Sequence, residues 1–116
     1  MHIAKRLPEL VDDSAVRPSL LHGDFWSGNF MVASDGEAVL MDPAVYYGDR
    51  DTDLAMTRLF GGFNERFHSP HREAWPLDPG FKEREVLYKL YHQMNHLILF
   101  GQGYLGSVKS GIELLI

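Results

Sequence analysis

The sequence predicts an α+β fold that is mainly α-helical, with one small β-hairpin followed by several helices. Two short apolar runs, NFMVA and EAVLM, are joined by Ser34-Asp35-Gly36, which is a turn signal between two strands. Further along, apolar residues recur at steps of three and four over about 81–100, which predicts a long helix. A chain of 116 residues can bury one core, so we expect residues 1–116 to form a single domain.

The shorter elements follow from cap and breaker signals. The segment IAKRLPELV has scattered apolar positions and contains Pro8, so at most a short helix is expected there. Residues 49–62 have acidic N-cap candidates, an amphipathic body and Gly61-Gly62 as a stop, which predicts a short helix. Residues 62–80 are expected to form an irregular loop, because they contain Pro70, Pro76, Pro79 and Gly80.

The long helix over about 81–100 has two chemically different sides. Its predicted apolar stripe consists of Val86, Leu87, Leu90, Tyr91, Met94, Leu97 and Ile98. The opposite side carries Tyr88, His92, Asn95, His96 and Leu99, an unusually aromatic and histidine-rich set for a solvated face. The following GQGYLG matches a nucleotide-loop pattern, but such a loop should follow a strand. Gly101 and Gly103 are therefore predicted to cap the helix and turn the chain into another helix over 107–116.

Composition excludes several classes of function. The net charge is -5 and there is no basic run, so no nucleic-acid partner is expected. The chain has no cysteine, which excludes a disulfide framework, a thiol nucleophile and a thiolate metal site. No apolar run reaches membrane-spanning length and the first residues lack a signal-peptide core, so we expect a cytoplasmic protein without a membrane partner.

The segment LLHGDFWSGNF concentrates polar and permissive residues between two apolar stretches. Asp24 and Asn29 are separated by four residues and follow His22, which is the spacing of a kinase catalytic loop. Phosphoryl transfer needs a carboxylate that orients the acceptor hydroxyl and takes its proton, and a neutral amide oxygen can bind Mg²⁺ beside it. Asp42 directly follows the second strand of the hairpin, which would fold it back as a second Mg²⁺ ligand.

Simpler structural interpretations of the same residues remain. Asp24 and Asn29 could cap turns, and Asp42-Pro43 could end a strand. His22 is interpreted as a brace of the loop rather than a base, because Asp24 already fills that role. The order and spacing of the three residues together favour phosphoryl transfer.

Three segments, PSLLHGDFWSGN, MDPAVYYGDRDTDLAMTRLFGGF and LYHQMNHLILFGQGYL, resemble the fructosamine (ketosamine) kinase family, within the aminoglycoside-phosphotransferase branch of the protein-kinase-like fold. The resemblance begins at about Leu7 and implies the C-terminal lobe of that fold. It implies phosphorylation of a sugar hydroxyl of a ketoamine, with ATP as co-substrate and Mg²⁺ as cofactor. Asp24 matches the catalytic base, Asn29 and Asp42 match the Mg²⁺ ligands, and Asp53 matches an aspartate that braces the catalytic loop. An aspartate in the first turn of a helix is also stabilised locally, and the two roles of Asp53 are compatible.

Trp26 and His96 are the candidates for contact with the ketoamine. The Trp26 ring can stack on a sugar or a cationic amine, although it could also pack in a core. His92 and His96 are four residues apart, but no third metal ligand is evident, so a structural or substrate-facing role is favoured for His96.

The resemblance implies a β-rich N-terminal lobe that covers ATP, and we expect this chain to lack it. Removing such a lobe should expose apolar surface, so self-association is a further expectation. Three alternative functions are compatible with these residues. They are a related small-molecule kinase of the aminoglycoside or choline type, a non-catalytic binding module, and a metal-dependent hydrolase that uses His22, Asp24 and Asp42.

Overall fold

The structure is a computed structural model that describes residues 2–12, 14, 16–60 and 62–116. The elements in chain order are α1 (His2–Leu10), β1 (Ser19–Leu21), β2 (Phe30–Val32), β3 (Ala38–Leu40), β4 (Tyr46–Gly48), α2 (Arg50–Thr57), α3 (Glu65–Ala74), α4 (Phe81–Phe100) and α5 (Leu105–Leu115). They form two compact units, of which the first comprises Met1–Val16 and Gly80–Ile116 and the second Arg17–Pro79.

The first unit is a cluster of helices around an aliphatic core. Its buried residues are Ile3, Leu10, Leu90, Val108 and Leu115, with Val11, Val86, Leu87, Leu97 and Ile112 packed against them. Arg6 of α1 donates from Nη1 to the carbonyl oxygen of Leu115 at 2.6 Å. A cation at this position satisfies an otherwise orphaned carbonyl at the end of α5 and interacts favourably with the helix dipole.

Helix α4 has the limits that the sequence predicts. Gly80 precedes it with φ 84° and Gly101 follows it with φ 93°, and glycine adopts these left-handed angles without a steric penalty. The GQGYLG segment is a helix end, a 3-10 turn over Gln102–Tyr104 and the start of α5, as predicted. Helix α5 begins two residues earlier than the sequence indicates.

The predicted apolar stripe of α4 is only partly correct. Leu90 is buried and Val86, Leu87 and Leu97 pack against the core, whereas Tyr91, Met94 and Ile98 are 67%, 37% and 80% exposed. Helix α5 packs closely against α4 at Gly111, where a Cβ would lie 3.3 Å from the Leu90 side chain and 4.0 Å from that of Val86. Contact with α5 is thus made by the Val86 and Leu90 side of α4. The neighbouring row of Tyr91, Met94 and Ile98 therefore remains exposed.

The second unit contains two small antiparallel sheets. The predicted hairpin is confirmed: β2 pairs with β3 in a register that places Phe30 opposite Leu40 and Val32 opposite Ala38. Gly36 in its turn has φ 86°. The pairing of β1 with β4, which joins Ser19 to Gly48, is not apparent from the sequence because the two strands are three residues long and far apart along the chain.

Helix α2 begins as predicted and ends earlier. The Asp49 side chain caps it by accepting from the Asp51 N–H at 3.0 Å. The helix ends at Thr57, before Gly61-Gly62, of which Gly61 lies outside the described residues. The Phe63 N–H returns to the Thr57 carbonyl at 2.7 Å, and a Cβ on Gly62 would lie 2.0 Å from that oxygen. Glycine at position 62 therefore permits the chain to fold back over the helix end.

The prediction of an irregular loop over 62–80 is wrong, because α3 occupies its middle part. The Asn64 side chain caps α3 by accepting from the Arg66 N–H at 3.1 Å. The stabilising aromatic contacts of this segment come from Phe63 and Phe67, which pack edge to face at 4.8 Å. Helix α3 accommodates Pro70 in its second turn, where proline removes one backbone donor without preventing the helix.

Arg50 fastens the chain that follows α3. The side chain is 8% exposed, and its guanidinium carbon lies 3.8 Å from the centre of the Trp75 ring. Its two terminal nitrogens donate to the carbonyl oxygens of Trp75 at 3.0 Å and Pro76 at 2.5 Å. The planar guanidinium thus holds the start of 75–79 against the first turn of α2.

Across the described ranges, no helix combines the length and the apolar character that crossing a lipid bilayer would require.

Candidate active site

Asp53 in the first turn of α2 holds the start of the predicted catalytic loop. Its two carboxylate oxygens accept from the backbone N–H groups of His22 at 2.8 Å and Gly23 at 3.1 Å. Hydrogen bonds to a charged acceptor are stronger than neutral ones, so this contact fixes the backbone just before Asp24. The geometry matches the bracing arrangement that the family resemblance implies for Asp53.

His22 connects the loop to the hairpin through its ring. Its Nε2 lies 2.8 Å from the carbonyl oxygen of Met41, and its Nδ1 accepts from the Asp24 N–H at 3.2 Å. An acceptor role at Nδ1 assigns the ring proton to Nε2, which donates to Met41. Both nitrogens are therefore engaged in holding the loop, which is the arrangement expected of a brace and unsuited to a metal ligand.

Asp24 and Asn29 are brought into direct contact. The Asn29 amide nitrogen donates to the Asp24 backbone oxygen at 2.9 Å and to the Asp24 carboxylate at 3.0 Å. Asn29 is 7% exposed and lies in a 3-10 turn over Ser27–Asn29. Because the amide nitrogen is committed to Asp24, the amide oxygen is the atom of Asn29 that is available to a cation.

The hairpin returns Asp42 to the loop. The Met41 N–H donates to the Asn29 carbonyl at 2.8 Å, and the Ala44 N–H donates to the His22 carbonyl at 2.7 Å. Asp42 itself is exposed and has φ 47°, a left-handed backbone that is rare for a residue other than glycine. Strained backbone of this kind clusters at functional sites, where the surrounding structure imposes it.

Gly23 is required by this close approach of loop and hairpin. It has φ 88°, and a Cβ at this position would lie 2.0 Å from the Ala44 carbonyl oxygen. Any larger residue would push the loop away from the segment that carries Asp42.

The loop packs against an aromatic cluster that was not predicted from the sequence. Phe25 packs against Phe63 at 5.1 Å and Phe67 at 5.9 Å, and Phe30 lies 5.6 Å from Phe63. The spacing of Phe63 and Phe67, four residues apart, is the signal that could have indicated a helix with one aromatic face. Phe67 of α3 and Phe63, which precedes that helix, thus pack against Phe25 of the loop.

Trp26 occupies the tip of the loop. Its N–H donates to the Asp24 carbonyl at 3.1 Å, and its own carbonyl accepts from the Asn29 N–H at 3.0 Å. Its ring is partly exposed and lies against Gly28, where a Cβ would be 2.3 Å from the indole.

His96 lies on α4 in the first unit, while the other predicted site residues lie in the second. Its Nδ1 is 2.7 Å from the His92 carbonyl, and its ring lies 5.3 Å from those of Phe100 and Tyr104.

The two histidines of α3 lie on the helix that packs against the loop and are not among the predicted site residues. Burial lowers the pKa of His68 below its ordinary value, and the nearby Arg58 charge lowers it further. Burial also lowers the pKa of His71, with a smaller effect from Arg50. Both rings therefore favour their neutral form in the folded chain.

The donor set of the loop and hairpin suits Mg²⁺. This ion prefers oxygen ligands and shares its coordination with water and substrate phosphates, and the Asn29 amide and the Asp42 carboxylate are oxygen donors of the kind that it prefers. In the described part of the chain, no group of three or more His, Asp or Glu side chains is arranged to hold a metal ion.

Comparison with known proteins identifies relatives. A sequence model of the fructosamine kinase family matches residues 1–116. A protein named probable ketoamine kinase from Synechocystis is 47% identical over 102 residues, which are 88% of this chain and 35% of that protein. A protein named chloroplastic protein-ribulosamine 3-kinase, from indica rice, is 42% identical over 111 residues, which are 96% of this chain and 32% of that protein.

A crystal structure gives the same picture at the level of the fold. A Haemophilus somnus protein assigned as a fructosamine-3-kinase matches with a TM-score of 0.85 and 29% identity, over 97% of this chain and 39% of that one. The chain therefore spans about a third to two fifths of the length of these relatives. The likeness confirms the predicted fold class, mainly α-helical with small antiparallel sheets.

Proposed function

The chain belongs to the fructosamine kinase family, and on that premise we propose that it is the catalytic, C-terminal lobe of an ATP-dependent kinase that phosphorylates a sugar hydroxyl of a ketoamine. The observation that carries the proposal is the contact of Asn29 with the Asp24 carboxylate at 3.0 Å, on a loop that Asp53 holds through two backbone N–H groups. This arrangement presents one carboxylate and one amide oxygen together, which is what phosphoryl transfer requires of the protein.

Asp24 acts as the general base in this proposal. The acceptor hydroxyl gives its proton to the Asp24 carboxylate while its oxygen forms a bond to the γ-phosphorus of ATP. The bond between that phosphorus and the bridging oxygen breaks, and ADP leaves. The hydrogen bond from Asn29 keeps the Asp24 carboxylate oriented toward the acceptor.

Asn29 and Asp42 would hold Mg²⁺. When bound, the ion would offset the negative charge of the ATP phosphates. Backbone hydrogen bonds from Met41 to Asn29 and from Ala44 to His22 keep the two ligands on adjoining segments. The left-handed backbone of Asp42 supports this role, because residues with such backbone angles cluster at functional sites.

Trp26 and His96 are proposed to contact the ketoamine. The partly exposed indole of Trp26 lies on the turn between Asp24 and Asn29, and it offers a face to the sugar ring or to the cationic amine. His96 would contribute its imidazole ring, whose Nδ1 lies 2.7 Å from the His92 carbonyl oxygen.

Further proposals concern the whole protein. We propose that residues 1–116 act as one lobe, that the groups clamping ATP come from a separate β-rich lobe, and that neither nucleic acid nor a membrane is a partner.

Self-association is proposed through the exposed apolar residues of the hairpin, which include Met31, Val32 and Leu40, and light scattering of the purified chain tests it. A cytoplasmic location is proposed; because one relative is named as chloroplastic, imaging of a fluorescent fusion tests the compartment.

The comparisons do not favour an aminoglycoside- or choline-type kinase, a binding module or a metal-dependent hydrolase. The hydrolase would use His22 as a ligand, and both of its ring nitrogens are engaged by the chain.

The test uses a chimera in which this chain replaces the matching segment of the Synechocystis relative. We expect the chimera to convert fructoselysine to a phosphorylated product with Mg²⁺ and ATP, as detected by mass spectrometry. Asp24→Asn should reduce the rate by about 10²–10⁴-fold, because general base catalysis is lost. Asp35→Asn is the matched control, since Asp35 lies in the exposed hairpin turn and accepts only from the Glu37 N–H.

Product formation by the Asp24→Asn chimera at the unsubstituted rate would remove Asp24 from the mechanism. Absence of product from the chimera, with the relative active in parallel, would contradict the proposed activity. The chain by itself is assayed beside them, because product from it would mean that this lobe binds ATP without a second one.

A further inference from the structure

Phe60 has a backbone conformation that its side chain disfavours. Its φ is 55°, and among the described residues the only other non-glycine with a positive φ is Asp42. A bulky aromatic in the left-handed region is an outlier that persists only where the surroundings impose it. Phe60 is 37% exposed, so full burial of its ring does not compensate for the strain.

The strained backbone directs the Phe60 ring toward Trp26. The two ring centres are 6.0 Å apart and the planes meet at 82°, so the edge of one ring faces the other. This is a favourable geometry for an aromatic pair, because the positive edge of one ring lies against the negative face of the other.

Gly28 confines the same indole from within the loop. A Cβ at position 28 would lie 2.3–2.6 Å from atoms of the six-membered ring of Trp26, so the indole occupies the space that any side chain would need. Two residues thus position Trp26: Gly28, which follows it by two positions, and Phe60, which lies after α2.

The position of Trp26 connects this packing to the chemistry. Its backbone N–H donates to the Asp24 carbonyl and its carbonyl accepts from the Asn29 N–H, so Trp26 belongs to the same short turn as the two proposed reacting groups. A ketoamine offers a sugar ring, whose C–H groups can lie on an indole, and a protonated secondary amine, which an aromatic face attracts.

We propose that Phe60 is a positioning residue, which holds the Trp26 indole against Gly28 so that Trp26 and Phe60 form a fixed aromatic platform for the sugar and amine of the ketoamine. The identity of the ligand rests on the proposed function, whereas the positioning of Trp26 rests on the geometry of Phe60 and Gly28 alone.

The test compares Phe60→Leu with Phe60→Gly in a Trp75→Phe background of the full chain, where Trp26 is the single tryptophan. Both variants lose the aromatic edge, but leucine keeps the backbone strain and glycine relieves it. We expect both to lower the fluorescence anisotropy of Trp26 and to weaken fructoselysine binding by about three- to tenfold, the effect of one aromatic pair. Phe60→Gly should unfold at a higher temperature than Phe60→Leu.

Tyr47→Leu is the control, because it removes an aromatic ring that is 74% exposed on β4. Unchanged anisotropy and unchanged affinity in both Phe60 variants would overturn the proposal. Failure of the unsubstituted chain to bind fructoselysine would instead overturn the proposed substrate and the ligand of the platform. The anisotropy comparison would still decide whether Phe60 positions Trp26.

Discussion

Gly23 and Gly36 share nearly the same backbone angle, with φ 88° and φ 86°, but have different surroundings. An alanine at either position is strained by about 1–2 kcal/mol, because its Cβ disfavours the left-handed region. A Cβ on Gly23 would also lie 2.0 Å from the Ala44 carbonyl, whereas one on Gly36 would meet nothing within 4 Å. We expect Gly23→Ala to lower the free energy of unfolding by about 1–3 kcal/mol more than Gly36→Ala, in urea denaturation followed by circular dichroism.

The two variants thus separate backbone strain from steric overlap between loop and hairpin. Equal losses of stability would mean that the loop moves away from Ala44 without cost. In that case the close approach of Gly23 and Ala44 would not hold Asp42 beside the loop.

At the residue scale, the sequence was informative wherever function constrains spacing. The interval between Asp24 and Asn29 predicted that both side chains point to one side of the loop, and the hydrogen bond between them is a finding of the structure. The resemblance located Asp53, but no local pattern indicates that a carboxylate in α2 would accept from His22 and Gly23. Phe60 could not be identified as strained, since a φ angle is imposed by packing and leaves no mark in the residue type.

At the scale of the elements, Arg50 in the first turn of α2 holds the segment of chain that follows α3. Lysine keeps the charge but cannot donate to the Trp75 and Pro76 carbonyls with a planar fork while lying over the Trp75 ring. We expect Arg50→Lys to lower the free energy of unfolding by about 1–3 kcal/mol, because the two carbonyl oxygens lose hydrogen bonds from the charged guanidinium. Arg66→Lys is the matched control, because Arg66 is exposed and the contact that caps α3 uses its backbone N–H.

Thermal unfolding followed by circular dichroism measures the effect of Arg50→Lys. A midpoint unchanged from that of the unsubstituted protein would show that the Arg50 contacts do not contribute to stability. A loss of equal size in Arg66→Lys would assign the effect to surface charge instead.

The elements that the sequence predicted well have local signals at both ends. Helix α4 lies between Gly80 and Gly101, and the hairpin turns at Ser34–Gly36, so the boundaries are encoded beside the elements themselves. Helix α3 was not predicted, because Pro70 indicated a break; the Asn64 cap is a local signal in favour of the helix. The β1–β4 pairing was missed because it depends on packing over nearly thirty residues of chain.

Stability of the whole molecule should depend on pH through α3. The pKa values of His68 and His71 are lowered from 6.5 in the folded chain, so the unfolded chain binds protons more readily as the pH falls. Stability is therefore greatest above about pH 6.5 and decreases as the pH falls from there through the lowered pKa values. We expect a lower free energy of unfolding at pH 5.5 than at pH 7.5, with a slope of at most about 1.4 kcal/mol per pH unit for each histidine.

Urea denaturation at the two pH values measures this dependence. His71→Gln should reduce the slope with little effect at pH 7.5, because His71 is only half-buried and is neutral there. An increase in stability on acidification would contradict the expectation. A slope unchanged by His71→Gln would assign the dependence to other groups.

The family fold was predicted for the molecule as a whole because its motifs extend from the loop to α5. The division into two compact units was not predicted, because contacts between sequence-distant segments such as α1 and α5 create the first unit. The sequence predicts candidate site residues, and packing determines which parts of the chain support them.

The N–H groups of His22 and Gly23 donate to a helix side chain instead of a neighbouring strand. Their exchange with solvent deuterium requires the Asp53 carboxylate to withdraw, and Asp53 moves with the first turn of α2. These loop amides should therefore exchange together with helical amides, although the residues that follow them, Asp24 to Ser27, are only partly buried. The predicted catalytic loop would open only as part of the same cooperative unit as α2, and would not fluctuate as an independent surface loop.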